Sequence, residues 1–127
     1  MIRIVTESMS DFTQEEAKAA DLIVMPLPIR FGMEEYWDDG VSLTQDDFYA
    51  RLRVAKELPK TSQVPVEHYR KCFNRLLENP EDEVLVITGS SKLSGCYQTS
   101  HERGRLVQLV DVHISKRNAV RQRDRCL

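Results

Sequence analysis

Apolar positions come in short runs along this chain, and their spacing predicts strands alternating with helices. Ile2 to Val5 is apolar apart from Arg3 and reads as a short buried strand. Thr13-Gln14-Glu15-Glu16 has the form of a capping box, Thr at the N-cap and Glu three residues on, and opens a short helix through Ala20. Leu22 to Met25 is the next strand. Pro26 and Pro28 withhold two backbone donors, so Leu27 to Phe31 is expected at an edge or as an extended segment, not as a central strand. Tyr36 to Gly40 is acidic and turn-like.

Thr44-Gln45-Asp46-Asp47 caps a second helix, whose acidic first turn suits the positive helix end. Phe48, Leu52 and Ala55 form its apolar stripe, and Leu58-Pro59-Lys60 ends it. Val66, Tyr69, Phe73, Leu76 and Leu77 recur at helical spacing until Asn79-Pro80. Glu83 to Thr88 is the strongest strand signal, with four consecutive apolar residues. Gly89 to Gly95 is a Ser/Gly loop, Cys96 to about Val107 continues as a helix, and Leu109 to Ile114 reads as a last strand. This order predicts an α/β fold with a mainly parallel sheet flanked by helices, whose ligands bind beyond the carboxyl ends of the strands.

Composition narrows the function classes. A length of 127 residues accommodates one domain, and 18 basic against 20 acidic residues give no chain-wide excess to draw nucleic acid. The longest apolar run, Leu22 to Leu27, is too short for membrane insertion, and the first residues lack the pattern of a secretory signal. Three cysteines without CxxC spacing argue against a disulfide framework or zinc site and for a reducing cytoplasm. His68, His101 and His113 have no metal-ligand spacing, and no cofactor motif is present. The charge is uneven, however: from His101 onward there are seven basic and three acidic residues, in a chain otherwise net acidic. The expected division is an α/β domain over 1–100 and an atypical basic tail over 101–127.

Two hydroxyl-rich segments are the candidate chemistry. One is Lys60-Thr61-Ser62-Gln63. The other, Gly89-Ser90-Ser91-Lys92-Leu93-Ser94-Gly95, follows the strongest strand, where free amides and small hydroxyls at a helix start make an anion site. Such donors carry no formal charge and suit a carboxylate attached to an apolar body. The same hydroxyls also suit ordinary capping and turn formation, and both roles stay open at this point. The loop lacks the Gly-Lys-Ser/Thr of a Walker A sequence, and there is no Gly-x-Ser-x-Gly elbow.

Five segments, Ile4 to Asp11, Val24 to Ile29, Asp39 to Thr44, Leu58 to Gln63 and Ser90 to Gln98, in this order resemble the DegV family of bacterial fatty-acid-binding proteins (FakB). Ile4-Val5-Thr6-Glu7-Ser8-Met9-Ser10-Asp11 is similar to the family's Val-Thr-Asp-Ser-x-x-Asp opening. Val24-Met25-Pro26-Leu27-Pro28-Ile29 is similar to its Val-Pro-Leu strand, and Asp39-Gly40-Val41-Ser42-Leu43-Thr44 to its Asp-Gly-Val-x-Ile-Thr turn. Leu58-Pro59-Lys60-Thr61-Ser62-Gln63 matches Thr-Ser-Gln, and Ser90-Ser91-Lys92-Leu93-Ser94-Gly95-Cys96-Tyr97-Gln98 matches Ser-Ser-x-Leu-Ser-Gly-Thr-Tyr-Gln.

The resemblance implies a carrier of one long-chain fatty acid, not an enzyme, that presents its ligand to a separate fatty acid kinase. By it, Thr61 and Ser94 hydrogen-bond the carboxylate, with Ser62, Ser90 and Ser91 as secondary contributors. Glu7 departs from the family's usual Asp by one methylene. After about Ser100 the resemblance fades just where the composition turns basic, which makes a truncated or frame-shifted gene the expectation, although Val110 to Ile114 keeps the look of a family strand. The family's second domain, which closes the lipid tunnel, has no counterpart in the sequence, so a lone domain is expected to leave an apolar groove open. A small-anion or phosphate-binding enzyme fragment and a non-functional remnant are the alternatives.

Overall fold

In a computed structural model of the chain, residues 1–101 are described, with side chains through residue 100, together with the backbone of residues 107–112. Among the described residues seven strands and four α-helices follow in the order β1 (Ile2–Glu7), α1 (Gln14–Ala19), β2 (Leu22–Met25), β3 (Pro28–Phe31), β4 (Glu34–Trp37), α2 (Gln45–Val54), β5 (Lys60–Thr61), α3 (Val66–Leu76), β6 (Glu83–Gly89), α4 (Cys96–His101) and β7 (Val107–Val112). A 3₁₀ turn, Ser8–Ser10, leaves β1.

The main sheet is parallel with order β2-β1-β6-β7, and the α/β architecture expected from the sequence is the one observed. From β1 the chain steps outward to β2, and from β6 it steps outward the other way to β7. Right-handed connections therefore put α1 on one face and α3 and α4 on the other. On the α3 face Val5, Met25, Val84 and Val86 pack against Tyr69, Cys72 and Phe73, with Leu27, Val64 and Cys96 completing the core. Each fully buried aliphatic or aromatic side chain there contributes about 1.5–3 kcal/mol. The burial of β6 alternates residue by residue, so the opposite face, with Leu85 and Ile87, is only half-buried.

Local signals set the helix starts. Thr13 accepts the Glu16 N–H while the Glu16 carboxylate accepts the Thr13 N–H, a complete capping box. Thr44 likewise caps α2 by accepting from Asp47 N–H. β2 matches the predicted span, α3 runs one residue short of it, and α4 begins at Cys96 as expected, the remainder of its predicted span before Val107 lying outside the described residues. α2 stops at Val54, before the expected proline signal, and its stripe is only half-buried because no residue of α2 is fully covered. The strand predicted from Leu109 lies at Val107–Val112, inside the segment assigned to the basic tail.

One expectation fails outright. β3 is not an edge strand; it is the centre of a second, antiparallel sheet with order β4-β3-β5. Pro28 is tolerated because it stands at the first position of the strand, where no N–H is needed, and its carbonyl accepts from Ser62 N–H at 3.2 Å. Part of the acidic stretch after Phe31 joins this sheet as β4, and the turn itself follows, with Asp39 accepting the Val41 and Ser42 amides.

Candidate functional site

The divergence of the chain at β1 and β6 makes their carboxyl ends the switch point of the sheet, where an open α/β fold presents a ligand crevice. Two loops rise there. Ser8–Ser10 follows β1, and Ser90 to Gly95 follows β6.

At the junction of the two strand ends lies Glu7, the last residue of β1. It is 1% exposed, and its Oε1 accepts the Gly89 N–H at 2.6 Å, a charge-assisted bond from one strand end to the other. Gly89 permits this approach. A methyl group there would meet Met9 Cε at 2.6 Å and Glu7 Oε1 at 3.0 Å. The second carboxylate oxygen, Oε2, has no hydrogen-bond partner among the described residues, nor have the buried Tyr69 hydroxyl and Thr88 Oγ1. Tyr69, from α3, lies in the field of Glu7 without a hydrogen bond of regular geometry to it. Burial first, and then the Glu7 charge, pushes its hydroxyl well above the usual phenol range.

The β6 loop is built on its serines. Ser90, 4% exposed, accepts Lys92 N–H through its hydroxyl oxygen, while its carbonyl accepts Leu93 N–H and Ser94 N–H. Ser94 Oγ accepts Cys96 N–H at 3.2 Å and so starts α4. An oxygen engaged in this way keeps its own proton for a further acceptor, so capping and ligand binding are compatible at Ser94. Ser91 is half-buried in the same loop.

The other hydroxyl segment arrives from the small sheet. Thr61 pairs with Ile29 in β5 and is exposed, as is Ser62 beside it. The chain then enters the core at Val64, whose N–H donates to Cys96 Sγ at 3.4 Å, and the Gln63 carboxamide fills the space a side chain on Gly95 would need. Thr61 is thus two residues from one junction with the serine loop, and Ser94 is one residue from the other side of it. Cys96 is fully buried. Burial pushes its thiol up, and the Glu7 carboxylate adds to that, so it packs instead of reacting.

The hydroxyl segments stand out by composition, whereas Glu7, Gln63 and the Tyr69 hydroxyl do not. The available signal for Glu7 is a single acid closing a buried strand where a turn begins. No group of three or more His, Cys, Asp or Glu among the described residues is placed to hold a metal, and no described helix is long and apolar enough to cross a membrane.

A parallel α/β layer with two hydroxyl-bearing loops at its switch point is an architecture in which small ligands commonly bind. The family model described as "Uncharacterised protein, DegV family" matches residues 1–122, and the chain belongs to the DegV family. It is 38% identical over 111 residues to a DegV domain-containing protein of Halalkalibacterium halodurans, covering 87% of this chain and 39% of that one. It is 34% identical over 106 residues to a fatty acid-binding protein of Thermotoga maritima, covering 78% of this chain and 35% of the relative. A stearic acid-binding protein from Eubacterium ventriosum superposes with a TM-score of 0.76 at 29% identity, over 87% of this chain and 41% of the other. The chain therefore spans about two fifths of the length of these relatives.

Proposed function

We propose that this chain binds a long-chain fatty acid by its carboxylate, with the Thr61 and Ser94 hydroxyls as the principal donors and Ser62, Ser90 and Ser91 in support. The junction at Val64–Cys96 and Gln63–Gly95 carries the proposal, because it draws both hydroxyl segments to one end of the sheet. The Thermotoga maritima and Eubacterium ventriosum relatives, described as binding fatty acid and stearic acid, favour this ligand class. All five residues fall within 1–100, while the main sheet runs on into β7.

The chemistry suits such a ligand. A carboxylate taken from water into an apolar crevice is costly unless hydrogen-bonded, and neutral hydroxyls supply the bonds without a buried cation. The acyl chain then provides affinity at about 0.8 kcal/mol per buried CH₂. Holding the head group in one orientation at the rim suits a carrier that hands its acid to a phosphorylating partner, and we take a fatty acid kinase as that partner and the cytoplasm as the compartment. The carrier itself supplies no catalytic group to the transfer. A small-anion-binding enzyme fragment is less favoured, since the relatives whose ligand is described bind fatty acid and stearic acid.

Lipid extraction from the purified chain followed by mass spectrometry tests the proposal. A co-purified long-chain acid is expected. A polar anion, or an extract without acyl chains from protein that also takes up no added oleate, would overturn it.

A further inference from the structure

The hydroxyls invoked above sit on a loop, and a loop positions a head group only if something fixes its root. Glu7 is the buried group that touches that root. It closes β1, its neighbours on the same sheet face are core residues, and its Oε1 holds the first amide after the β6 core at 2.6 Å. No Lys, Arg or His forms an ion pair with it among the described residues. A carboxylate kept nine-tenths or more from water without a cation is costly, and a simple cap on Gly89 N–H could be made by a neutral amide at lower cost.

Three further observations converge on it. Gly89 has no side chain and stands against both Met9 and the carboxylate, so the strand end is shaped around this contact. Glu7 Oε2 is buried without a hydrogen bond of regular geometry among the described residues, and Tyr69 and Cys96 lie close to the same carboxylate. Finally, the Ser90 carbonyl anchors Leu93 and Ser94, so a displacement of Gly89 is carried directly to Ser94. We infer that Glu7 is the positioning residue of the site: its carboxylate clamps Gly89 so that the Ser90-to-Ser94 loop presents its hydroxyls to an acidic head group. This rests on the fatty-acid proposal for the ligand, but the clamp itself does not.

The test uses the full chain and Glu7→Gln, with Thr88→Val as a control on the same buried face. Affinities for oleate and for oleyl alcohol are measured together with the amide proton shift of Gly89. Replacing the charged acceptor by a neutral one of equal shape is expected to weaken oleate about tenfold, leave oleyl alcohol unchanged and move the Gly89 amide proton upfield. Thr88→Val should alter neither affinity. An unmoved Gly89 resonance would overturn the clamp. Equal losses for acid and alcohol, or the same loss of acid preference in Thr88→Val, would reduce Glu7 to packing. If the parent chain shows no preference for the acid over the alcohol, the fatty-acid proposal fails instead, and the Gly89 resonance still decides the clamp.

Discussion

The parallel sheet and the small antiparallel sheet hold their residues in different ways. In the parallel sheet, β1 and β6 are flanked by strands on both sides, and one face is sealed by α3, whose Tyr69 and Phe73 rings lie 5.6 Å apart over Val5 and Val86. The small sheet has a two-residue strand at one edge and a helix, α2, that buries no residue completely. Its ties include the edge-to-face contact of Phe31 with Phe48 at 5.7 Å, the Trp37 ring on His68 of α3 at 4.8 Å, and the surface group of Arg51 with Glu34 and Tyr36. Exposed ion pairs of that kind are worth about 0–1 kcal/mol. One half of the proposed site is therefore fixed to the main core, and the half that carries Thr61 belongs to a smaller sheet whose buried Ile29 lies outside that core cluster. Loops that bind ligands are often drawn from such low-stability regions.

Core truncation should separate the two regions most strongly. Phe73→Ala removes a buried ring and is expected to cost about 3–5 kcal/mol, read as a lower urea midpoint of the whole chain. Phe48→Ala, on the half-buried face of α2, should cost only about 1 kcal/mol, the scale of one aromatic pair. Hydrogen exchange should then quicken in β3 and β5 and stay unchanged in β1 and β6. Equal costs for the two substitutions would show that the small sheet is an integral part of the core.

How far the sequence foretold this arrangement follows from where each signal is local. β2 and α3 are legible because apolar spacing and flanking breakers delimit them, and Thr13 and Thr44 cap as their motifs predict. The small sheet is not legible, because Lys60 and Thr61 form a strand only through pairing with residues some thirty positions earlier. Pro28 misleads in the same way: its missing donor matters in a strand interior and not at a strand start. The serine loop announces itself by composition. Glu7 does not, since an acid at a strand end looks like the beginning of a solvated turn until the fold closes over it.

Oleate binding by Thr61→Ala/Ser94→Ala, set beside its thermal transition, bears most directly on the idea that two hydroxyls from unlike regions hold one acidic head group. Neither side chain is part of the core, so the melting temperature should stay within a few degrees of the parent, while losing two charge-assisted hydrogen bonds of about 1.5–3 kcal/mol each should lower affinity by two to four orders of magnitude. A double variant that melts normally and binds oleate as tightly as the parent would contradict that idea.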